Sequence, residues 1–152
     1  MSEKELNEYE ETNIESVNIP LEFYKRKNEE KKDSYQHLST VLSMGNIEFF
    51  TLTVIIGKLI VKKRDPIDGR TEQFFKMTKK ILAKDEMTIL KSIAIDEVKN
   101  PYILKDQIAM RKIWMEYSYA GFNKINEWYK NNELYQKLHN IMIFALKNKT
   151  PS

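Results

Sequence analysis

The side chains able to do chemistry are few, and their spacing assembles little. Two histidines, His37 and His139, belong to no H-E-x-x-H or H-x-x-x-H pattern, the spacing that would set two imidazoles on one helix face to hold zinc. There is no cysteine, so thiolate nucleophiles, disulfides and cysteine metal sites are excluded. Four glycines write neither a G-x-G-x-x-G nor a Walker A loop, and no serine stands in a G-x-S-x-G turn. Asp65 and Asp68 share a loop, but the spaced oxygen ligands of an EF-hand are missing. Glu30-Lys31-Lys32 has the Glu-x-Lys spacing of some nucleases, yet it sits inside the charge run KRKNEEKKD rather than at the end of a strand. No nucleophile, base and orienter come together. The expectation is a protein that is no enzyme and holds neither metal nor cofactor.

Two other groups of side chains point to binding. Lys58, Lys62, Lys63, Arg64 and Arg70 cluster around one loop, followed by Lys76, Lys79 and Lys80 on what reads as the next helix. Such a cluster suits nucleic-acid phosphates, each cation releasing counterions on contact. The plainer reading is a solvated helix end, where basic residues complement the helix dipole; Asp65, Asp68 and Glu72 dilute the patch. Aromatic residues crowd the C-terminal third. Tyr117 and Phe122 fit a buried stripe, whereas Trp114, Tyr119 and Trp128 fall beside it. Large aromatics beside a core stripe are candidate anchors for a protein partner, because they bury much area at small entropic cost.

The elements that must position these groups read as helices. Ile47 to Lys63, IEFFTLTVIIGKLIVKK, is apolar on most sides, which predicts a central helix buried by its neighbours. Its β-branched density also suits a strand. It is shorter than the about 20 apolar residues that cross a bilayer. Before it, Val17 to Tyr24 with Pro20 inside predicts an extended arm or edge strand, and Tyr35, Leu38, Val41 and Leu42 a short helix closed by Gly45. After it, RDPIDGR (Arg64 to Arg70) is a loop. Thr71 then begins a helix carrying Phe74, Phe75, Met77 and Ile81 on its apolar side. Asp85 is the expected N-cap of the next, which stops at Asn100-Pro101. Asp106 opens another, with Ala109, Ile113, Tyr117 and Ala120 as its stripe and Gly121 as its end or kink. Leu134, Leu138, Ile141, Met142 and Ala145 mark the last helix.

The reading is therefore an all-α, single-domain bundle of about six helices around a central apolar one, over 35–148. A disordered acidic tail (1–16) and an extended or charged arm (17–34) precede it. A chain of 152 residues is long enough to bury a core of this kind. Its net charge of +3 hides an asymmetry: residues 1–15 hold six Glu and one Lys, leaving 24 basic and 16 acidic side chains in the rest. The start, MSEKELNEYEE, lacks the basic and apolar stretches of a secretory signal, so a cytoplasmic protein without a membrane partner is expected.

Three stretches carry a family resemblance: IIGKLIVKKRDPI (Ile55 to Ile67), DEMTILKSIAIDE (Asp85 to Glu97) and MEYSYAGFNKINEWY (Met115 to Tyr129). Together they resemble the dnd system-associated protein 4 family, small proteins associated with bacterial DNA phosphorothioation systems. The resemblance covers about half the chain and brings no catalytic residues with it. It implies a component encoded beside a DNA modification or restriction system, and the leading function is a non-catalytic helical accessory subunit that binds larger protein partners in bacterial defence against foreign DNA. The runner-up function is a small protein that binds double-stranded DNA through the Lys58 to Lys80 region.

Overall fold

The computed structural model describes residues 16–149. The expected acidic tail, up to residue 15, lies outside them, and Ser16 already belongs to a strand. That strand, β1 (Ser16–Pro20), pairs antiparallel with β2 (Thr71–Lys76). The arm expected over Val17 to Tyr24 is thus an edge strand followed by a 3-10 turn, Leu21–Phe23, with Pro20 at its end, where a missing N–H costs no ladder bond.

The helix expected from Thr71 is instead β2. Phe74 and Phe75 are adjacent and both buried, which a regularly alternating strand cannot achieve. The register solves this: Val17 faces Phe75 while Asn18 faces Gln73, so Phe74 is the extra residue of a bulge. Two neighbouring aromatics thereby enter the core from one strand. The fold is mostly helical, with this small sheet set on it.

Six α-helices are present among the described residues. The first is α1 (Tyr35–Val41), whose Ser34 Oγ accepts the His37 N–H. The expected central helix is α2 (Asn46–Ile56), which continues as a π turn over Gly57–Val61. Ile47, Phe49, Phe50, Val54 and Ile56 are all buried there. Gly45 does not close α1; it precedes α2 as its N-cap, and Ser43 takes the left-handed conformation after α1. Next come the short α3 (Lys79–Leu82) and α4 (Asp85–Val98). The N-cap of α4 is Lys84, with Asp85 one place inside the first turn, where its carboxylate still complements the dipole. A 3-10 stretch, Pro101–Lys105, leads to α5 (Gln107–Lys130), capped as expected by Asp106, whose Oδ1 accepts the Ala109 N–H at 3.0 Å. The last helix is α6 (Leu134–Lys149).

Gly121 neither ends nor kinks α5, which runs through it unbroken. Its role is close approach. A Cβ at Gly121 would overlap the Thr53 carbonyl, and one at Gly57 would overlap the Tyr117 carbonyl. The two glycines let α2 and α5 cross backbone to backbone. Around this crossing, Tyr35 stacks on Phe122 with centroids 4.2 Å apart. The Ser118 hydroxyl bonds both Tyr35 Oη (2.8 Å) and Thr53 Oγ1 (2.6 Å), so these three buried hydroxyls are paired with one another.

Candidate functional site

The basic cluster is partly consumed inside the protein. Lys58 leaves the π turn and reaches the end of α4, with Nζ 3.0 Å from both Asp96 Oδ2 and Glu97 Oε2. It also lies over the Tyr117 ring, 5.4 Å from the centroid. Tyr117 Oη donates to the same Glu97 oxygen at 2.5 Å. Arg64 Nε stands 3.4 Å from Glu116 Oε1 and 3.7 Å from Glu97 Oε1. Burial works against the charge on Lys58, but the hydrogen bonds to Asp96 and Glu97 outweigh it and hold the ammonium above the ordinary lysine value. For Glu97, burial is likewise outweighed, here by the Tyr117 hydroxyl and Lys58, and its carboxyl lies below the usual range. Burial and the Glu97 charge both push the Tyr117 hydroxyl up. Each cation here meets a carboxylate, so the cluster ties the π turn to α4 and α5.

The other basic candidates stay at the surface. Lys62 and Lys63 follow the π turn and are exposed, Lys62 in left-handed backbone. Arg70 is exposed just before β2, and Lys76 ends that strand. Lys79 and Lys80 open the short α3. Lys76 is thus on a strand rather than on the helix expected to carry it with Lys79 and Lys80.

The tryptophans overturn the expected partner face. Trp114 is 1 % exposed, and its Nε1 donates to the Leu90 carbonyl at 2.6 Å, fastening α5 to α4. Trp128 is 7 % exposed. Tyr119 is half-buried against Phe23, and its hydroxyl donates to Glu22, which together with burial raises it to about 12. All three serve the interior or its seams. The cause is that α5 packs on several sides at once, against α2, α4 and β1. A residue about 100° from one buried stripe therefore meets another neighbour instead of water.

A different surface was missed. Leu134 is buried at the start of α6, Leu138 and Ile141 are half-buried against the core, and Tyr135 Oη donates to the Val41 carbonyl at 3.2 Å. Ala145 continues the Leu134–Leu138–Ile141 stripe but is exposed. From Met142 on, the helix overhangs the body. Met142 is 55 %, Ile143 37 % and Phe144 68 % exposed. Exposed apolar residues elsewhere, such as Leu59, Tyr102 and Ile108, stand on separate elements, as is ordinary for a protein surface. Met142 to Phe144 are consecutive. Burying each would be worth about 1.5–3 kcal/mol, so among the described residues the end of α6 is where a partner gains most, with Leu59 and Ile60 a smaller exposed pair on the π turn. The signal was in the sequence: Ile141 to Leu146, IMIFAL, is wider than the seam of a helix docked on one side.

Among the described residues, no three of His, Cys, Asp or Glu gather where they could hold a metal ion. His37 Nε2 pairs with the Tyr129 hydroxyl at 3.1 Å, and His139 is exposed on α6. No single described helix is long and apolar enough to cross a membrane. No family model, curated protein or solved structure matches the chain.

Proposed function

We propose that this chain is a non-catalytic helical accessory subunit that docks on a larger protein through the overhanging half of α6. The exposed run Met142-Ile143-Phe144, with Leu146 beyond it, carries the reading, because apolar side chains gathered at one helix end offer a partner area to bury. The wider setting, a bacterial DNA-defence complex in the cytoplasm, rests on the resemblance of Ile55–Ile67, Asp85–Glu97 and Met115–Tyr129 to the dnd system-associated protein 4 family. Affinity purification from cells that express the chain natively tests it. A larger protein should co-purify with the native chain and be lost from a Met142→Ser/Phe144→Ser variant that melts like the parent. Equal recovery with both would contradict the proposal.

The second reading is DNA binding. It is favoured by the exposure of Lys62 and Lys63 beside one loop and weakened by the internal pairing of Lys58 and Arg64. Under it, duplex DNA should be retained at about 50 mM salt and released steeply as salt rises, and Lys62→Ala/Lys63→Ala should weaken retention. Absence of binding at that salt would remove it.

A further inference from the structure

Cations gather where β1 begins. Ser16, its first residue, pairs with Lys76, the last residue of β2. The Ser16 carbonyl accepts from Arg111 Nη1 of α5 at 3.2 Å. Beyond Lys76 the chain enters α3 with Lys79 and Lys80, and Lys112 follows Arg111 on α5. Five cations thus flank Ser16; Arg111 is half-buried and the four lysines are exposed. No Asp or Glu occurs over 73–84 or over 107–115 to dilute them. Lys76, Lys80 and Lys112 form no ion pair among the described residues.

The opposite charge joins the fold at the same point. Residues 1–15 hold six Glu and one Lys, five net negative charges, and they connect directly to Ser16. Antiparallel pairing with β2 aims the chain ahead of Ser16 along the side on which Lys76 leads into α3. A tether of fifteen residues, up to about 50 Å when extended, leaves ample reach. One exposed ion pair contributes little, because solvent and salt screen it. Several on one tether act together: the join at Ser16 makes every encounter intramolecular, at an effective concentration a separate acidic peptide would not have.

We infer that residues 1–15 lie across the basic surface made by Lys76, Lys79, Lys80, Arg111 and Lys112 and neutralise it. The segment competes there with any polyanion, so Lys76, Lys79 and Lys80 are withheld from nucleic-acid phosphate while Lys62 and Lys63 are not. The inference goes beyond the docking of α6 and holds whether or not a partner covers that helix.

The test uses the full chain, which has no cysteine, so that Asn7→Cys carries a nitroxide at one known place. At low salt the label should broaden the amide signals of Lys79, Lys80, Arg111 and Lys112. Gln73, as far from Lys76 along the chain as Lys79 is, should stay sharper. Most of the lost intensity should return at about 1 M salt, where the screening length is about 3 Å. It should also return when Glu3, Glu5, Glu8, Glu10 and Glu11 are all changed to Gln, with the remaining amide signals unmoved as the sign of an intact fold. No broadening at the four cations, or broadening that survives both salt and the Gln changes, would overturn the inference. Mixing labelled chain with unlabelled, isotope-enriched chain completes it: broadening carried over to the enriched copies would show contact between molecules and overturn the intramolecular screen.

Discussion

Helices α5 and α6 begin from similar sequence patterns and end in opposite environments. Each shows an apolar stripe with further apolar residues beside it. In α5 the residues beside the stripe, Trp114 and Trp128, are buried, because α2, α4 and β1 cover it from several directions. In α6 even a stripe residue, Ala145, is exposed, because the body ends before the helix does. Periodicity identifies which side chains want cover. How many neighbours supply it depends on where the helix lies in the fold, and that is a tertiary property.

The contrast can be broken most forcefully at the crossing on which α5 depends. Gly121→Val adds bulk where a single Cβ already overlaps the Thr53 carbonyl. It should cost more than about 4 kcal/mol, among the largest effects of single changes, and leave little folded protein by circular dichroism. A variant that melts near the parent would mean that α2 and α5 do not meet there. Next in size, Trp114→Ala should cost about 3–5 kcal/mol, the range for emptying a core site of that size. Phe144→Ala should stay within about 0.5 kcal/mol, as surface changes do. Denaturant unfolding of the two side by side checks the pair; equal losses would erase the distinction between α5 and α6.

A smaller effect sharpens how α5 is tied to its neighbours. The carboxyl of Glu97 is held below its ordinary value in the folded chain, so the folded state binds its proton less readily than the unfolded one. Its contribution is present above the ordinary glutamate value of about 4.3 and is lost as pH falls through the lowered folded value. Lys58 is shifted upward; its contribution is full below about 10.4 and is lost as pH rises through the folded value. Glu97→Gln should therefore lower stability at neutral pH by about 1.5–3 kcal/mol, the range for hydrogen bonds to a charged group, and flatten the acid limb of the stability profile. An unchanged acid limb would show that the network around Glu97 does not tie α5 to α4 and the π turn.

Much of this frame was legible locally. The all-round apolar stretch from Ile47 read as the buried α2, Pro20 marked an edge strand, and Asp106 capped α5. Each depends on side chains a few residues apart. The misreadings share one cause, which is dependence on distant chain. Phe74-Phe75 looked helical because only the bulge opposite Val17 and Asn18 lets a strand bury both. Gly45 and Gly121 looked like helix ends, yet the left-handed positions after helices belong to Ser43, Lys62, Lys99 and Asn132, while Gly121 answers to α2. Lys58 and Arg64 looked like a phosphate patch because their acidic partners, Asp96, Glu97 and Glu116, lie far along the chain.

The most direct measurement is hydrogen exchange along α6, in the isolated chain and in its partner complex. In isolation the amides from Met142 to Lys147 should exchange much faster than those from Leu138 to Ile141 and than the middle of α5, since exposed turns open locally at little cost. In the complex they should slow to the level of the docked half. Strong protection of Met142 to Lys147 in the isolated chain, or none gained in the complex, would contradict the assignment of this overhang as the partner-binding surface.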